Sequence, residues 1–198
     1  MSTTTRTSTA SLIRDTRRQD LFRLSTRSVV YMAIGAALYA VLNLITNSWV
    51  IPGAQNVSIR PGAVIPIFFG VLFGPIVGFF TGFVGNTISD QLTYGIFWNW
   101  EIGNGLMGLI AGFTPLVVRG AYRRWPNVVT AAVLSAAGIL AGLFVAAFTD
   151  QWLYSKISFK AAMTTEWFPA AGSDLLFGIP LLVILLAAWS RARERASR

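Results

Sequence analysis

The stretch from Arg60 to Asp90, RPGAVIPIFFGVLFGPIVGFFTGFVGNTISD, decides how this chain folds, because no charged residue stands between its two ends. About 20 residues, at a rise of about 1.5 Å each, cross the hydrocarbon core of a bilayer. The apolar run Pro61–Leu92 is therefore too long for one spanning helix. Gly74-Pro75 stands where a tight turn is needed, and proline is well tolerated in the first turn of a helix. We predict two shorter helices here, rather than one kinked span with a surface segment.

Further apolar runs flank this stretch, one before it and three after it. The chain has 198 residues, of which 54% are hydrophobic and 12% are charged, whereas a soluble domain carries about twice that share of charge. The runs predict an all-α integral membrane protein with six transmembrane helices in residues 28–190. The predicted spans are Ser28–Thr46, two helices within Pro61–Leu92, then Phe97–Val118, Asn127–Phe148 and Phe168–Trp189.

Basic residues give the predicted helices an orientation. Thirteen of the 16 basic residues lie before the first helix, between the fourth and the fifth, or after the sixth. Short basic segments stay in the cytoplasm, so six spans place both termini there, whereas five spans would leave the C-terminal arginines outside. We expect residues 1–27 to form a disordered basic tail and residues 191–198 to form a basic C-terminal tail.

Several classes of function are excluded by what the sequence lacks. The chain has no cysteine and no histidine, which removes disulfides, thiolate or imidazole metal sites and Ser-His-Asp catalysis. It has no phosphate-binding loop of the GxxxxGK type and no acidic cluster with metal-ligand spacing. The net charge of +8 comes mainly from arginines that flank helices. This placement indicates lipid headgroups, rather than nucleic acid, as the partner of the basic residues.

Small residues recur at intervals of four along three predicted helices. Gly78 and Gly82 share one face of the third helix, and Gly108 and Gly112 share one face of the fourth. Such faces let helix backbones approach closely within a membrane. The first helix carries two overlapping alanine pairs, and this face suits either packing within the chain or a partner protein. Its residues are Ala33, Ala36, Ala37 and Ala40.

Polar side chains gather at the outer ends of the third, fourth and sixth predicted helices. A charge inside a span costs about 2.5–3.5 kcal/mol on insertion scales, so such residues face a cavity or a partner. For Asp174 the nearest candidate partners are Arg60 and Lys160. Amides and carboxylates among aromatic rings are typical of a small-molecule pocket, which we expect the long segments Asn47–Arg60 and Thr149–Trp167 to cover. The candidate substrate-binding residues are Asn86, Asp90, Tyr94, Trp98, Asn99, Glu101, Asn104, Trp167 and Asp174.

An ordered series of segments resembles the substrate-binding S components of energy-coupling-factor (ECF) vitamin transporters, in the riboflavin/cobalamin-type group. The resemblance extends over residues 28–190 and is densest in Arg60–Gly78, Gly85–Asp90 and Trp98–Gly112. It implies a six-helix bundle that binds one vitamin or vitamin precursor from outside, with no cofactor, metal or catalytic residue. It also implies a bacterial plasma membrane, two cytoplasmic ATPases and a membrane coupling protein that contacts the alanine face of the first helix.

Two hypotheses from different classes remain open. As a transport subunit, the chain binds one riboflavin-, cobalamin- or thiamine-like molecule tightly and without turnover, and carboxylates near the pocket favour a cationic ligand. As a small membrane enzyme or a scaffolding protein, it uses the intramembrane carboxylates Asp90, Glu101 and Asp174, or it binds no ligand. The resemblance favours the transport subunit.

Overall fold

The computed structural model describes residues 21–54, 57–118 and 122–196, and most of these residues are helical. Six helices carry the fold, and short helical turns flank three of them. Within the described residues, the only extended pairing is one isolated antiparallel bridge between Val50 and Ser58. The six helices are α1 Thr26–Thr46, α2 Val64–Phe73, α3 Pro75–Gln91, α4 Trp98–Ala111, α5 Trp125–Leu153 and α6 Phe168–Ala196.

The long apolar stretch folds as two helices that meet at Gly74, as predicted. Gly74 has a φ of 104°, which residues with a side chain rarely adopt. Pro75 then opens α3, where its fixed φ suits the first helical turn. A 3₁₀ turn, Pro61–Ala63, leads into α2. The chain therefore reverses between α2 and α3 without a connecting loop.

The fourth predicted helix ends earlier than expected. The sequence predicts Phe97–Val118, but α4 ends at Ala111, and a separate single turn, Thr114–Val117, follows it. Pro115 lies in that turn and has no N–H to donate to the carbonyl of Ala111. A continuous α-helix is disfavoured there for this reason.

The segment Thr149–Trp167, expected to be a long loop, is mostly helical. α5 continues to Leu153, and helical structure resumes at Phe159 and passes through a π-helix, Ala162–Trp167, into α6. Aromatic rings pack along the extended end of α5, with ring centroids 5.0 Å apart for Phe148 and Trp152. Only residues 154–158 are left as the connection between the two helical stretches.

Both predicted tails are partly helical where the structure describes them. α1 begins at Thr26, because the hydroxyl of Ser25 caps it by accepting a 3.1 Å hydrogen bond from the N–H of Ser28. α6 continues past the predicted end to Ala196, and Glu194 in this extension pairs with Arg123 at 2.6 Å. Residues 1–20, 197 and 198 lie outside the described residues, so the rest of each tail stays a prediction.

Three helical stretches of the described chain are long and apolar enough to cross a bilayer, namely α1, α5 and the continuous run Phe159–Ala196. The stretch Pro61–Phe73 is apolar but shorter. α3 and α4 contain 17 and 14 residues, which is less than a straight span of about 20 residues. The architecture is thus all-α with several apolar helices, and the count of six spans remains a prediction.

Glycines bring α3, α4 and α5 into backbone contact. A Cβ atom at Gly78 would collide with the carbonyl of Gly108, and one at Gly103 would lie 2.6 Å from the carbonyl oxygen of Gly142. Only hydrogen fits at these points, so the backbones approach as closely as helices can. α4 packs between α3 and α5, and the predicted small-residue faces of α3 and α4 are confirmed as their packing surface.

Polarity is inverted relative to a water-soluble protein. Glu101, Asn104 and Asp174 are fully buried, whereas Leu176 and Ile184 are 68% and 61% exposed. Charged side chains are almost never fully buried in soluble proteins unless they are paired. In a bilayer the outward apolar side chains meet lipid tails, and polar groups must find their partners inside the bundle.

Candidate functional site

A cavity of about 120 Å³, which we call the polar cavity, lies at one end of the bundle. It forms where α1, α3 and α5 end and where α4 and α6 begin, beside the segment that joins α1 to α2. Amide, charged and aromatic side chains line it. The lining residues are Asn43, Asn47, Val57, Ser58, Arg60, Asn86, Asp90, Tyr94, Phe97, Trp100, Asp150, Ser155, Glu166 and Ala170.

Asn86 of α3 is the centre of a buried hydrogen-bond network on one wall of the polar cavity. Its amide nitrogen donates to Asp90 at 2.9 Å and to Glu101 of α4 at 2.8 Å. Its amide oxygen accepts from Asn43 of α1 at 3.3 Å. A single amide therefore joins three helices and holds two carboxylates close together.

A second acidic pair lies on the α5 and α6 side of the cavity. The amide of Asn99 donates to Asp150 and to the carbonyl of Ala146, both at 2.9 Å, which fixes α4 against α5. Glu166 sits on the π-helix and lines the same cavity, and the hydroxyl of Ser155 donates to it at 3.5 Å. Asp150 and Glu166 are each only 2% exposed.

The third charged group is an ion pair between Arg60 and Asp174, with 3.1 Å between Nη2 and Oδ2. The Asp174 side chain is fully buried and the Arg60 side chain is 12% exposed. The backbone N–H of Arg60 also donates to the hydroxyl of Ser173 at 3.3 Å. The pair ties the segment before α2 to α6. Of the two candidate partners of Asp174 that the sequence offered, Arg60 and Lys160, the structure shows Arg60.

Beside the cavity, Tyr39 of α1 is fully buried and donates to the amide oxygen of Asn104 at 2.7 Å. The amide nitrogen of Asn104 donates to the carbonyl of Trp100, one turn earlier in α4, at 2.8 Å. The amide oxygen of Asn104 thus joins α1 to α4, and its amide nitrogen is bonded within α4.

Aromatic rings and a short paired segment surround the cavity. Phe97 packs edge to face on Tyr154, with centroids 5.2 Å apart. The segment after α1 folds back on itself, because the N–H of Ile51 donates to the carbonyl of Val57 at 2.8 Å. The hydroxyl of Ser58 donates to the carbonyl of Asn47, also at 2.8 Å. This pairing brings part of the segment Asn47–Arg60 to the cavity wall.

The candidate substrate-binding residues divide into three groups in the structure. Asn86, Asp90 and Tyr94 line the polar cavity. A second group does not line it but bonds to lining residues, namely Asn99, Glu101, Asn104 and Asp174.

The remaining two candidates lie away from the cavity. The Trp98 ring is 51% exposed and stacks on Phe83 at 6.1 Å. Trp167 donates from its indole nitrogen to the carbonyl of Leu140 at 3.1 Å. Neither ring lines the polar cavity.

Sequence reasoning missed several lining residues, above all Asn43, Asp150 and Glu166. Asn43 and Asp150 each follow a long apolar run near the end of a helix. A single polar residue in such a place could have been predicted to line the cavity. Glu166 had a weaker signal, because a π-helix shifts the faces that ordinary helical spacing predicts.

The alanine face of α1 divides into an inner and an outer half. Ala36 and Ala40 are each 3% exposed and pack inside the bundle. Ala33 and Ala37 face outward. Their neighbours on the outward side are the apolar residues Val29, Val30, Ile34, Leu38, Val41 and Ile45.

The end of the bundle away from the polar cavity is rich in arginine, and we call it the arginine end. A wide groove there lies between the start of α1, the α2–α3 junction and the end of α6. Its lining includes Arg23, Arg27 and Arg193. The buried carboxylates therefore lie at one end of the molecule and the arginine clusters at the other.

The fold and the cavity define a class, multi-pass all-α membrane proteins with a polar cavity among their helices. Within it, the chain belongs to the family of ECF-type riboflavin transporter S components, whose sequence profile matches residues 23–191. The resemblance inferred from the sequence is thereby confirmed. The family consists of transporter subunits and not of enzymes.

Curated relatives cover nearly the same length. A UPF0397 protein of Vibrio atlanticus is 31% identical over 175 residues, which cover 86% of this chain and 94% of that protein. A UPF0397 protein of Aliivibrio fischeri is 33% identical over 162 residues, which cover 79% of this chain and 86% of that protein. No solved structure is significantly similar to the chain.

Proposed function

We propose that this chain is the substrate-binding subunit of an ECF-type importer. It captures a vitamin or vitamin precursor from outside the cell and delivers it through a membrane coupling protein and cytoplasmic ATPases. The observation that carries the proposal is the polar cavity, in which Asn86, Asp90 and Glu166 stand among aromatic rings in a protein of the S-component family. Such a combination of apolar walls and few oriented polar groups suits a small organic ligand.

The proposed topology has six spans, with both termini in the cytoplasm of a bacterial cell. The arginine end then faces the cytoplasm, where short basic segments are retained. The polar cavity faces outward, where the substrate arrives. α3 and α4 are short for independent spans, but their glycine contacts embed them between α1 and α5.

The proposed contact with the coupling protein is the outer half of the alanine face on α1. Ala33 and Ala37 are exposed and one helical turn apart, which leaves a shallow groove between larger apolar side chains. Close approach of another helix at such a groove is the usual route to helix association in lipid. The inner residues Ala36 and Ala40 are already used within the bundle.

Ligand capture by the isolated chain tests the proposal. The protein is purified in detergent, its melting temperature is measured with riboflavin, cobalamin and thiamine, and any co-purified molecule is identified by native mass spectrometry. We expect one compound to raise the melting temperature and to be recovered unchanged. Conversion of the compound would support the alternative membrane enzyme that uses Asp90 or Glu101. Absence of any ligand would instead favour a scaffolding protein.

A further inference from the structure

Acidic side chains outnumber basic ones around the polar cavity. Three carboxylates line it, those of Asp90, Asp150 and Glu166. Glu101 stands directly behind them, bonded to the lining residue Asn86. The one basic residue of the lining, Arg60, is already paired with Asp174.

The other basic residues of this end do not neutralise the excess. Lys156 and Lys160 are exposed, and neither lines the cavity. Among the described residues the ion pairs are Arg60–Asp174 and Arg123–Glu194. None of these four carboxylates therefore forms an ion pair with a basic residue in the described part of the chain.

Unused hydrogen-bonding atoms of the lining are mainly acceptors. Glu166 Oε2 and Asn43 Oδ1 are buried and accept no hydrogen bond from any described residue, and the same is true of Glu101 Oε1 behind the wall. Arg60 Nε is the single unused buried donor among the lining residues. A buried acceptor without a donor lowers the stability of the protein. A ligand with hydrogen-bond donors would satisfy these acceptors and is therefore favoured.

The local backbone brings one of these residues, Glu166, to the cavity wall. Glu166 is 2% exposed and stands on the π-helix Ala162–Trp167, a rare structure that is frequent at functional sites. The wide turn carries Glu166 to the cavity lining together with Ala170 of α6. A buried carboxyl group with one oxygen that accepts no hydrogen bond thus lies in the cavity wall, on an unusual feature of the backbone.

Aromatic side chains supply the remaining recognition. Tyr94, Phe97 and Trp100 line the same cavity. The face of an aromatic ring attracts a cation within about 6 Å of its centre, and it also offers a stacking surface for a flat heterocycle. A flat aromatic cation can make both kinds of contact.

We propose that the ligand of the polar cavity is an organic cation, a flat aromatic ring that carries a fixed or protonated positive charge and at least one N–H donor. The inference rests on the proposed function and names its substrate class. The positive charge lies among Asp90, Asp150 and Glu166, and the ring lies against Trp100 and Phe97. A neutral ring without N–H donors would leave the unused acceptors of the acidic wall without partners.

Competing ligands on the purified full chain test this inference. Thiamine serves as the cationic probe, thiochrome as its neutral ring-closed relative, and riboflavin as a larger neutral heterocycle. Binding is measured by calorimetry in detergent. We expect thiamine to bind about 10- to 100-fold more tightly than thiochrome, as the loss of a charged hydrogen bond or ion pair predicts.

Two conservative variants locate the charge, and a third is the control. Glu166→Gln and Asp150→Asn should each weaken thiamine binding about tenfold and leave the affinity for thiochrome within twofold of the wild type. Glu194→Gln removes an acid at the arginine end and should change neither affinity. If one cavity variant fails to fold, the comparison of thiamine with thiochrome on the wild-type chain still tests whether the ligand is a cation.

The outcomes separate this inference from the proposed function. Tight binding of riboflavin or thiochrome with weak binding of thiamine overturns the cationic ligand but leaves the transport subunit in place. Equal loss of both probes in Glu166→Gln also overturns it. Absence of binding by every compound of the wider vitamin panel contradicts the proposed function and the inference together.

Discussion

At the scale of single residues, buried amides carry most of the polar contacts between helices. Asn86, Asn99 and Asn104 each bond a group on another helix. In a bilayer no water is present to replace such a partner. Each amide therefore specifies how two or three helices meet.

Replacement of Asn86 tests its role as the centre of the network. Asn86→Leu leaves Asp90 and Glu101 without their shared donor, so we expect a loss of about 1–3 kcal/mol in the free energy of unfolding and at least tenfold weaker ligand binding. Thr87→Ala is the control, because Thr87 bonds only the carbonyl of Phe83 in its own helix. Thermal unfolding and ligand titration in detergent measure both effects. A tolerated Asn86→Leu would contradict the assignment.

A double-mutant cycle tests the buried ion pair. Asp174→Leu alone leaves Arg60 buried without its partner, and we expect a cost of about 3–5 kcal/mol. Arg60→Met together with Asp174→Leu should recover most of this cost, because no uncompensated charge remains. Denaturation of the four proteins gives the coupling energy. Strictly additive effects would show that the two side chains do not depend on each other.

At the scale of helices, glycine contacts and aromatic packing set the positions of the elements. Gly78 against Gly108 and Gly103 against Gly142 remove the side-chain layer that normally separates helices. α4 is enclosed between α3 and α5, whereas α3 exposes an apolar side that includes Phe80, Val84 and Ile88.

Matched glycine substitutions test the close contact. Gly78→Ala places a Cβ atom against the Gly108 carbonyl and 2.8 Å from Gly70 Cα, so we expect a clear fall in the melting temperature. Gly172→Ala meets nothing within 4 Å and should be neutral or stabilising by up to about 1 kcal/mol, because alanine favours the helix. Equal tolerance of both substitutions would mean that α3 and α4 are further apart than described.

The outer alanine face of α1 gives a second prediction at this scale. Ala37→Phe should abolish uptake in cells while leaving ligand affinity unchanged, because the residue is exposed and away from the cavity. Ala137→Phe is the matched control, since Ala137 is an exposed alanine on α5. Uptake of labelled ligand and calorimetry on the purified variants separate the two effects. Loss of ligand binding in Ala37→Phe would place this face within the fold.

At the scale of the whole molecule, the sequence predicted correctly those features that depend only on neighbouring residues along the chain. Gly74-Pro75 leaves few alternatives to a sharp reversal, and glycines four residues apart mark the packing faces of α3 and α4. Residues that depend on helix arrangement were harder. Glu166 reaches the cavity through a π-helix, and the difference between Ala36 and Ala37 depends on which neighbour α1 meets.

The ends of α4 and α5 show the same limit. Pro115 was a visible reason for α4 to stop early, but the helical continuation of α5 to Leu153 depends on ring packing that spacing does not predict. Charge reasoning fared better, because the arginine clusters and the buried acids do lie at opposite ends of the bundle.

One measurement tests the central claim, an outward-facing ligand cavity, most directly. The chain has no cysteine, so Ser155→Cys in the cavity wall and Arg195→Cys at the arginine end each introduce a single thiol. In intact cells, a membrane-impermeant maleimide should label Ser155→Cys, and the ligand should slow this labelling at least tenfold. Arg195→Cys should react only after permeabilisation. Labelling of Arg195→Cys alone in intact cells, or of Ser155→Cys at a rate that a bound ligand leaves unchanged, would contradict the account.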